Sequence, residues 1–280
     1  MLKVDSLSKS FKTNLVLDSV SIDFSNGRII LLVGENGSGK TTAFKMLLGL
    51  IKPDCGTIDY DGASYSGLIE EPAFNNSLTG QQNIDILLEN YDTSYFTSLL
   101  NDLNIYEAIN KKVGTYSLGM RQKLGLAYLF LKKSDYLLLD EPVNSLDKKS
   151  IKIVLNEIMK RKEAGLTTII ISHQVNWIID YVDEVYKIED KKIKVQNTDV
   201  IKLNKYVFVF SNEDDAKKAS ELIMGRLEKN RVFCDIENSV ISDTIKKLSS
   251  FDLIEAKKEE GDYWLWKKNW RKSYMTKRFL

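Results

Sequence analysis

Apolar positions in the first two hundred residues fall into two alternating patterns. The short, nearly unbroken runs IILLV (Ile29–Val33), YLLL (Tyr136–Leu139) and TIII (Thr168–Ile171) have the form of strands buried on both faces. Between them, apolar residues recur every three or four positions. KTTAFKMLLGLI, with Pro53 as a stop beyond it, predicts a helix, as does MRQKLGLAYLFLKK. Thr79–Ala108, with Ile84, Leu87, Leu88, Phe96, Leu99, Leu100 and Leu103 in helical spacing, reads as mostly helical. SIKIVLNEIMKRKEAG is a helix between the strands YLLLD and TTIIIS, which makes a βαβ crossover. The whole is an α/β pattern running to about residue 195.

Near residue 200 the pattern restarts. YVFVF, a helix through DDAKKASELIMGRL, RVFCDIE, a helix SDTIKKLSSF, then LIEA and YWLW predict a small accessory α/β domain at 201–280. The expected organisation is therefore a larger domain at 1–200, with a helical subdomain at about 72–130, followed by this smaller one.

Composition changes this picture little. Hydrophobic residues at 43% and charged residues at 28% fit a globular chain. Forty basic against thirty-nine acidic residues create no field that would attract nucleic acid, so no such partner is expected. No run approaches the ~18 apolar residues that cross a bilayer, and MLKVDSLSKSF lacks the apolar core of a leader, so no membrane crossing is expected of the chain itself. Cys55 and Cys234 lack metal-ligand spacing and suit a reducing compartment.

GENGSGKT, Gly34 to Thr41, fits G-x-x-x-x-G-K-[ST] directly after a strand and at the start of a helix. Gly34, Gly37 and Gly39 let backbone N–H groups converge on phosphate oxygens, and the helix adds its positive end. Lys40 brings a charge to the β- and γ-phosphates of a bound nucleotide, and Thr41 offers a hydroxyl to Mg²⁺. Asn36, Ser38 and Thr42 complete the expected nucleotide-binding set. The complementary acid comes from DYLLLDEP: Asp140 ends a buried strand and would hold Mg²⁺, and Glu141 can accept a proton from an attacking water.

Between these halves lies YSLGMRQKL, Tyr116 to Leu124, a Ser/Gly turn leading into a helix. With it, residues 1–195 resemble the ATP-binding subunits of ABC transporters, motif by motif and in order. The resemblance implies an α/β P-loop NTPase fold of the ABC type and a Mg²⁺-dependent ATPase. It also implies a second ATP-binding subunit, identical or different, and a separate transmembrane permease subunit at the cytoplasmic face of the membrane. By that resemblance Ser117 and Gly119 contact the γ-phosphate of ATP held by the opposite subunit. Asp147, in NSLD, is the acid of the D-loop, and Phe11 stacks on adenine. His173, which follows the strand at Thr168–Ile171, becomes the switch histidine at the γ-phosphate. Its position carries this assignment, since a solitary histidine is by itself more often a packing residue.

Two positions depart from the family pattern. Leu118 replaces the first glycine of the signature, and Glu70 stands where the family carries a Mg²⁺-sensing glutamine. IEEPAF and LTG, together with YSLGM, resemble the branch that includes bacitracin-resistance and lantibiotic-immunity exporters. The function implied is export of peptides, antimicrobials or other amphiphiles. Two alternatives stay open: a soluble ABC-type ATPase in translation or DNA maintenance, and a nucleotide-binding regulatory subunit. A single P-loop and the absence of sustained heptads count against the first, and the joint presence of Lys40, Asp140, Glu141 and His173 against the second. The tail DYWLWKKNWRKSYMTKRFL sets aromatics among six basic residues and one acid, and is read as a packed or protein-contacting segment, with membrane affinity as the alternative.

Overall fold

Strand β1 (Leu2–Phe11) pairs antiparallel with β2 (Asn14–Phe24), and β4 (Cys55–Asp59) later joins the other edge of β1, giving a three-stranded sheet in the order β2-β1-β4. Between β2 and β4 the chain forms β3 (Ile29–Gly34) and helix α1 (Lys40–Leu47). It continues through β5 (Tyr65–Leu68), α2 (Gly80–Leu87), α3 (Thr93–Asp102), α4 (Leu118–Lys132), β6 (Tyr136–Asp140), α5 (Lys148–Glu163), β7 (Thr167–Ile171), β8 (Glu184–Glu189) and β9 (Lys192–Gln196). The second sheet has the order β5-β6-β7-β3-β8-β9 and is parallel except for the β8–β9 pair. The computed structural model describes residues 1–172, 175–196, 203–223, 226–237 and 241–258.

The apolar runs become the central strands, and all five residues of β6 and of β7 are buried. Helix α1 supplies Ala43, Phe44, Met46 and Leu47 to a core shared by both sheets. That core takes Leu2 and Val4 from β1, Leu17 and Phe24 from β2, Ile30 and Leu32 from β3, and Leu138 from β6. Each such large side chain removed from water contributes ~1.5–3 kcal/mol. This core fixes α1 at the end of β3, which is where the phosphate loop must be held.

The stretch read as mostly helical is interrupted. Helix α2 begins with a reciprocal Thr79–Gln82 capping box and ends at Leu87, and α3 starts afresh with Asp92 accepting from the Tyr95 N–H. A short 3₁₀ turn at Tyr106–Ala108 replaces the last helical turn expected. Helix α4 starts at Leu118 instead of Met120, because Ser117 caps it by accepting from Met120 N at 3.2 Å.

The chain divides into two compact units, Met1–Gln196 and Asn197–Leu280. The second contains β10 (Leu203–Phe210), α6 (Glu213–Leu222), β11 (Arg226–Glu228), β12 (Arg231–Glu237), α7 (Ile241–Leu248) and β13 (Leu253–Lys258). Its sheet is antiparallel in the order β11-β12-β10-β13, so the unit is a split β-α-β-β-α-β fold. Phe208, Phe210, Ala216, Ala219, Val232 and Leu248 form its core. The aromatic and basic tail, with the predicted strand YWLW, lies outside the described residues.

Candidate functional site

The parallel sheet delivers the ends of β3, β6 and β7 to one edge, the usual ligand side of a doubly wound sheet. After Gly34 the loop turns through Gly37 (φ 76°) and Gly39 (φ 104°), and Gly39 is the residue just before α1. A Cβ at Gly39 would stand 2.8 Å from Val16 Cγ1, so glycine is required by both backbone angle and space.

Lys40 is buried, and its Nζ donates to the carbonyls of Gly34 at 2.9 Å and Glu35 at 3.0 Å. Burial pulls the ammonium below the ordinary lysine range, opposed by the nearby charges of Glu141 and Asp140. Thr41 Oγ1 donates to Asp140 Oδ2 at 2.8 Å, joining two residues 99 positions apart. Asp140, buried at the end of β6, is followed by Glu141 in the left-handed region at φ 49°. The Glu141 N–H is fixed by the Ile171 carbonyl at 2.9 Å, and Ser172 Oγ lies 3.5 Å from its Oε2.

Lys40, Thr41, Asp140 and Glu141 line a cavity of about 560 Å³. Of the residues expected from sequence, Asn36, Gly37, Gly39, Lys40, Thr41, Thr42, Glu70, Asp140 and Glu141 are on its wall. Gly34 and Ser38 are not; the Ser38 hydroxyl is buried against Gly34, with no hydrogen-bond partner among the described residues. Phe11 ends β1 away from the wall, half exposed, with Lys9 Nζ 5.6 Å from its ring centroid. His173 lies outside the described residues.

Ser117, Gly119 and Asp147 are off the wall, although Leu118 of the signature and Asn144 and Ser145 of the D-loop are on it, and the two segments are tied to one another. Asp147 caps α5 by accepting from Ser150 N at 2.9 Å and pairs with Lys123 of α4 at 2.9 Å. These donors hold its carboxyl well below the usual range, the Ser150 N–H contributing most. A Cβ at Gly119 would meet the Ser145 carbonyl at 2.6 Å, so α4 lies directly on that loop. Gln122 is buried on the cavity wall and donates to the Pro142 carbonyl at 3.2 Å. Asn144 and Ser145 lie in the NSLD stretch read as the D-loop, where only Asp147 was assigned a role; Gln122 was not selected, and its one signal was that it follows Leu118 by one helical turn.

Thr41 Oγ1 and Asp140 Oδ2 fit Mg²⁺, a hard cation that takes few protein oxygens and shares the remainder of its shell with phosphates and water. The loop, the basic group and the oxygen pair together define a nucleotide site of the P-loop type.

Residues 17–144 match the family described as ABC transporter. The chain is 33% identical over 228 residues to the uncharacterized ABC transporter ATP-binding protein YcbN of Bacillus subtilis, covering 72% of this chain and 74% of that protein. It is 32% identical over 200 residues to the lantibiotic transport ATP-binding protein SrtF of Streptococcus pyogenes, covering 67% and 87%. Bacitracin transport ATP-binding protein BcrA of Enterococcus faecalis is 29% identical over 239 residues, covering 80% and 78%. In fold, the chain matches a solved ATP binding subunit of an ABC transporter with a TM-score of 0.66 at 19% identity, covering 89% of this chain and 99% of that one. The chain belongs to the ABC transporter family as an ATP-binding subunit, and members of this family are ATPases. It groups with the bacitracin and lantibiotic transport proteins.

Proposed function

We propose that the chain hydrolyses ATP in the cavity behind Gly34–Thr41 and drives a separate transmembrane partner that exports peptides, antimicrobials or other amphiphiles. The single observation that carries this reading is the Thr41–Asp140 hydrogen bond of 2.8 Å, which joins the phosphate loop to the strand end bearing Glu141. Lys40 exchanges its carbonyl partners for β- and γ-phosphate oxygens. Thr41 and Asp140 hold Mg²⁺, which supplies neutralisation of the phosphate charge. Glu141 takes the proton of the water whose oxygen attacks the γ-phosphorus as the bond to the β–γ bridging oxygen breaks. His173 contacts the γ-phosphate or that water.

One P-loop and one signature per chain call for two chains, with Ser117 and Gly119 of one completing the site of the other and Asp147 beside them. ATP then favours the closed pair, because it binds that state better. No helix among the described residues is long and apolar enough to cross a membrane, so the motion passes to another protein. The partner places the chain at the cytoplasmic face of the membrane. The SrtF and BcrA names, lantibiotic and bacitracin transport, support the cargo class.

Glu141→Gln tests the reading. ATP binding should persist while phosphate release falls about 10²–10⁴-fold, the usual worth of a general base. The same variant, recovered from detergent-solubilised membranes with ATP, should bring down a multi-span membrane protein. Recovery of ribosomes or DNA in its place overturns the transport reading.

A further inference from the structure

The cavity wall is unusually acidic for a site that takes a polyanion. Among the described residues it carries four carboxylates, Glu70, Glu71, Asp140 and Glu141, and one ammonium, Lys40. Asp140 and Glu141 have the roles given above. Glu70 has a different origin: it stands where the family pattern has an uncharged amide, just past β5, in the left-handed region at φ 59°. A carboxylate there repels phosphate oxygens unless its charge is met.

Lys45 meets it. This residue follows Lys40 by five positions along α1, is not on the cavity wall, and places Nζ 3.2 Å from Glu70 Oε1. We propose that Lys45 is a positioning residue for nucleotide: it neutralises Glu70 until a divalent cation arrives with ATP, and Glu70 then exchanges the ammonium for the cation. The two partners make this exchange possible because both are accessible, with side chains 36% and 71% exposed. A deeply buried pair would be too costly to break. The proposal rests on the reading of the cavity as the nucleotide site.

The consequence is specific to Mg²⁺. Without it, loss of Lys45 leaves Glu70 as an unmet negative charge; with it, the freed carboxylate has a cation to face. The test measures binding of a β,γ-imido ATP analogue to the full chain by calorimetry, in excess EDTA and in saturating Mg²⁺. Lys45→Met should lower affinity about two- to fivefold in EDTA, the range of an exposed ion pair, and change it less in Mg²⁺. Lys45→Met combined with Glu70→Gln should bind like Glu70→Gln alone, and Lys45→Arg should bind like the unaltered chain. An equal loss in both conditions, or one that Glu70→Gln does not relieve, makes Lys45 a structural residue of α1 and overturns the proposal. Unchanged affinity of Lys45→Met in EDTA overturns it as well. If the unaltered chain binds no analogue in either condition, the nucleotide-site reading fails and the proposal with it.

Discussion

Glu141 is held where few side chains sit. A left-handed backbone costs a non-glycine residue of order 1 kcal/mol, and the neighbouring structure sustains it here through the Glu141 N–H to Ile171 O bond. Strand β6 stops at Asp140, and two successive carboxylates, Asp140 and Glu141, stand on the cavity wall at its end. Gly39 shows the opposite solution, with no side chain at φ 104°. Gly39→Ala should destabilise the first unit by about 1–3 kcal/mol, through strain and the clash with Val16, measured as a lower urea midpoint with the m-value unchanged. The residues of the phosphate loop and of DYLLLDEP were legible in the sequence because each motif is local: a strand, a turn and a few fixed positions. Gln122 was not, nor was the part that Asn144 and Ser145 of NSLD take in the wall, because only the packing of α4 on the loop before α5 brings them to the cavity.

At the scale of elements, Asp147 joins two helices. It caps α5 and pairs with Lys123 of α4, so the signature helix and the D-loop are bound to each other. Asp147→Ala should cost about 0.5–2 kcal/mol, the usual worth of such a cap. Asp147→Asn keeps a capping oxygen and removes the charge, and so isolates the electrostatic part. The carboxyl is depressed in the folded chain, so its contribution is full above the unfolded value of ~3.9 and fades as pH falls below it. The unaltered chain should accordingly be more stable than Asp147→Asn at neutral pH, and the gap should shrink as pH falls below about 4, measured by urea unfolding across pH. At this same scale the sequence hid the first sheet. Strands β1 and β2 carry register shifts, and Ser6 (φ 49°) and Ser19 (φ 45°) interrupt the two-residue alternation that marks a strand. The break between α2 and α3 was hidden too, since Leu87 and Leu88 continue the helical spacing up to the point where Asp92 starts a new cap.

At the scale of the whole chain, two cores are built from separate stretches of sequence, one closing at Gln196 and the other beginning after it. Each has the large buried side chains that sustain cooperative folding. Differential scanning calorimetry should resolve two transitions, and nucleotide should raise only that of the first unit. The change in pattern near residue 200 was visible because apolar runs and helical spacing both restart there. The order of strands was not, since it is set by pairings between distant residues, such as β3 entering between β7 and β8.

The sheet of the second unit places β10 beside β13, with Tyr206 opposite Lys258. The first strand of this unit and its last described strand thus run past each other, so Leu203 and Lys258 lie at the same end of the sheet. Such a fold can be spliced into a host loop, or removed from one, by a single genetic event that leaves the host backbone nearly closed. Residues 203–258 are in that sense a portable cassette, and their transfer into an exposed turn of an unrelated protein should give a chimera in which both parts fold.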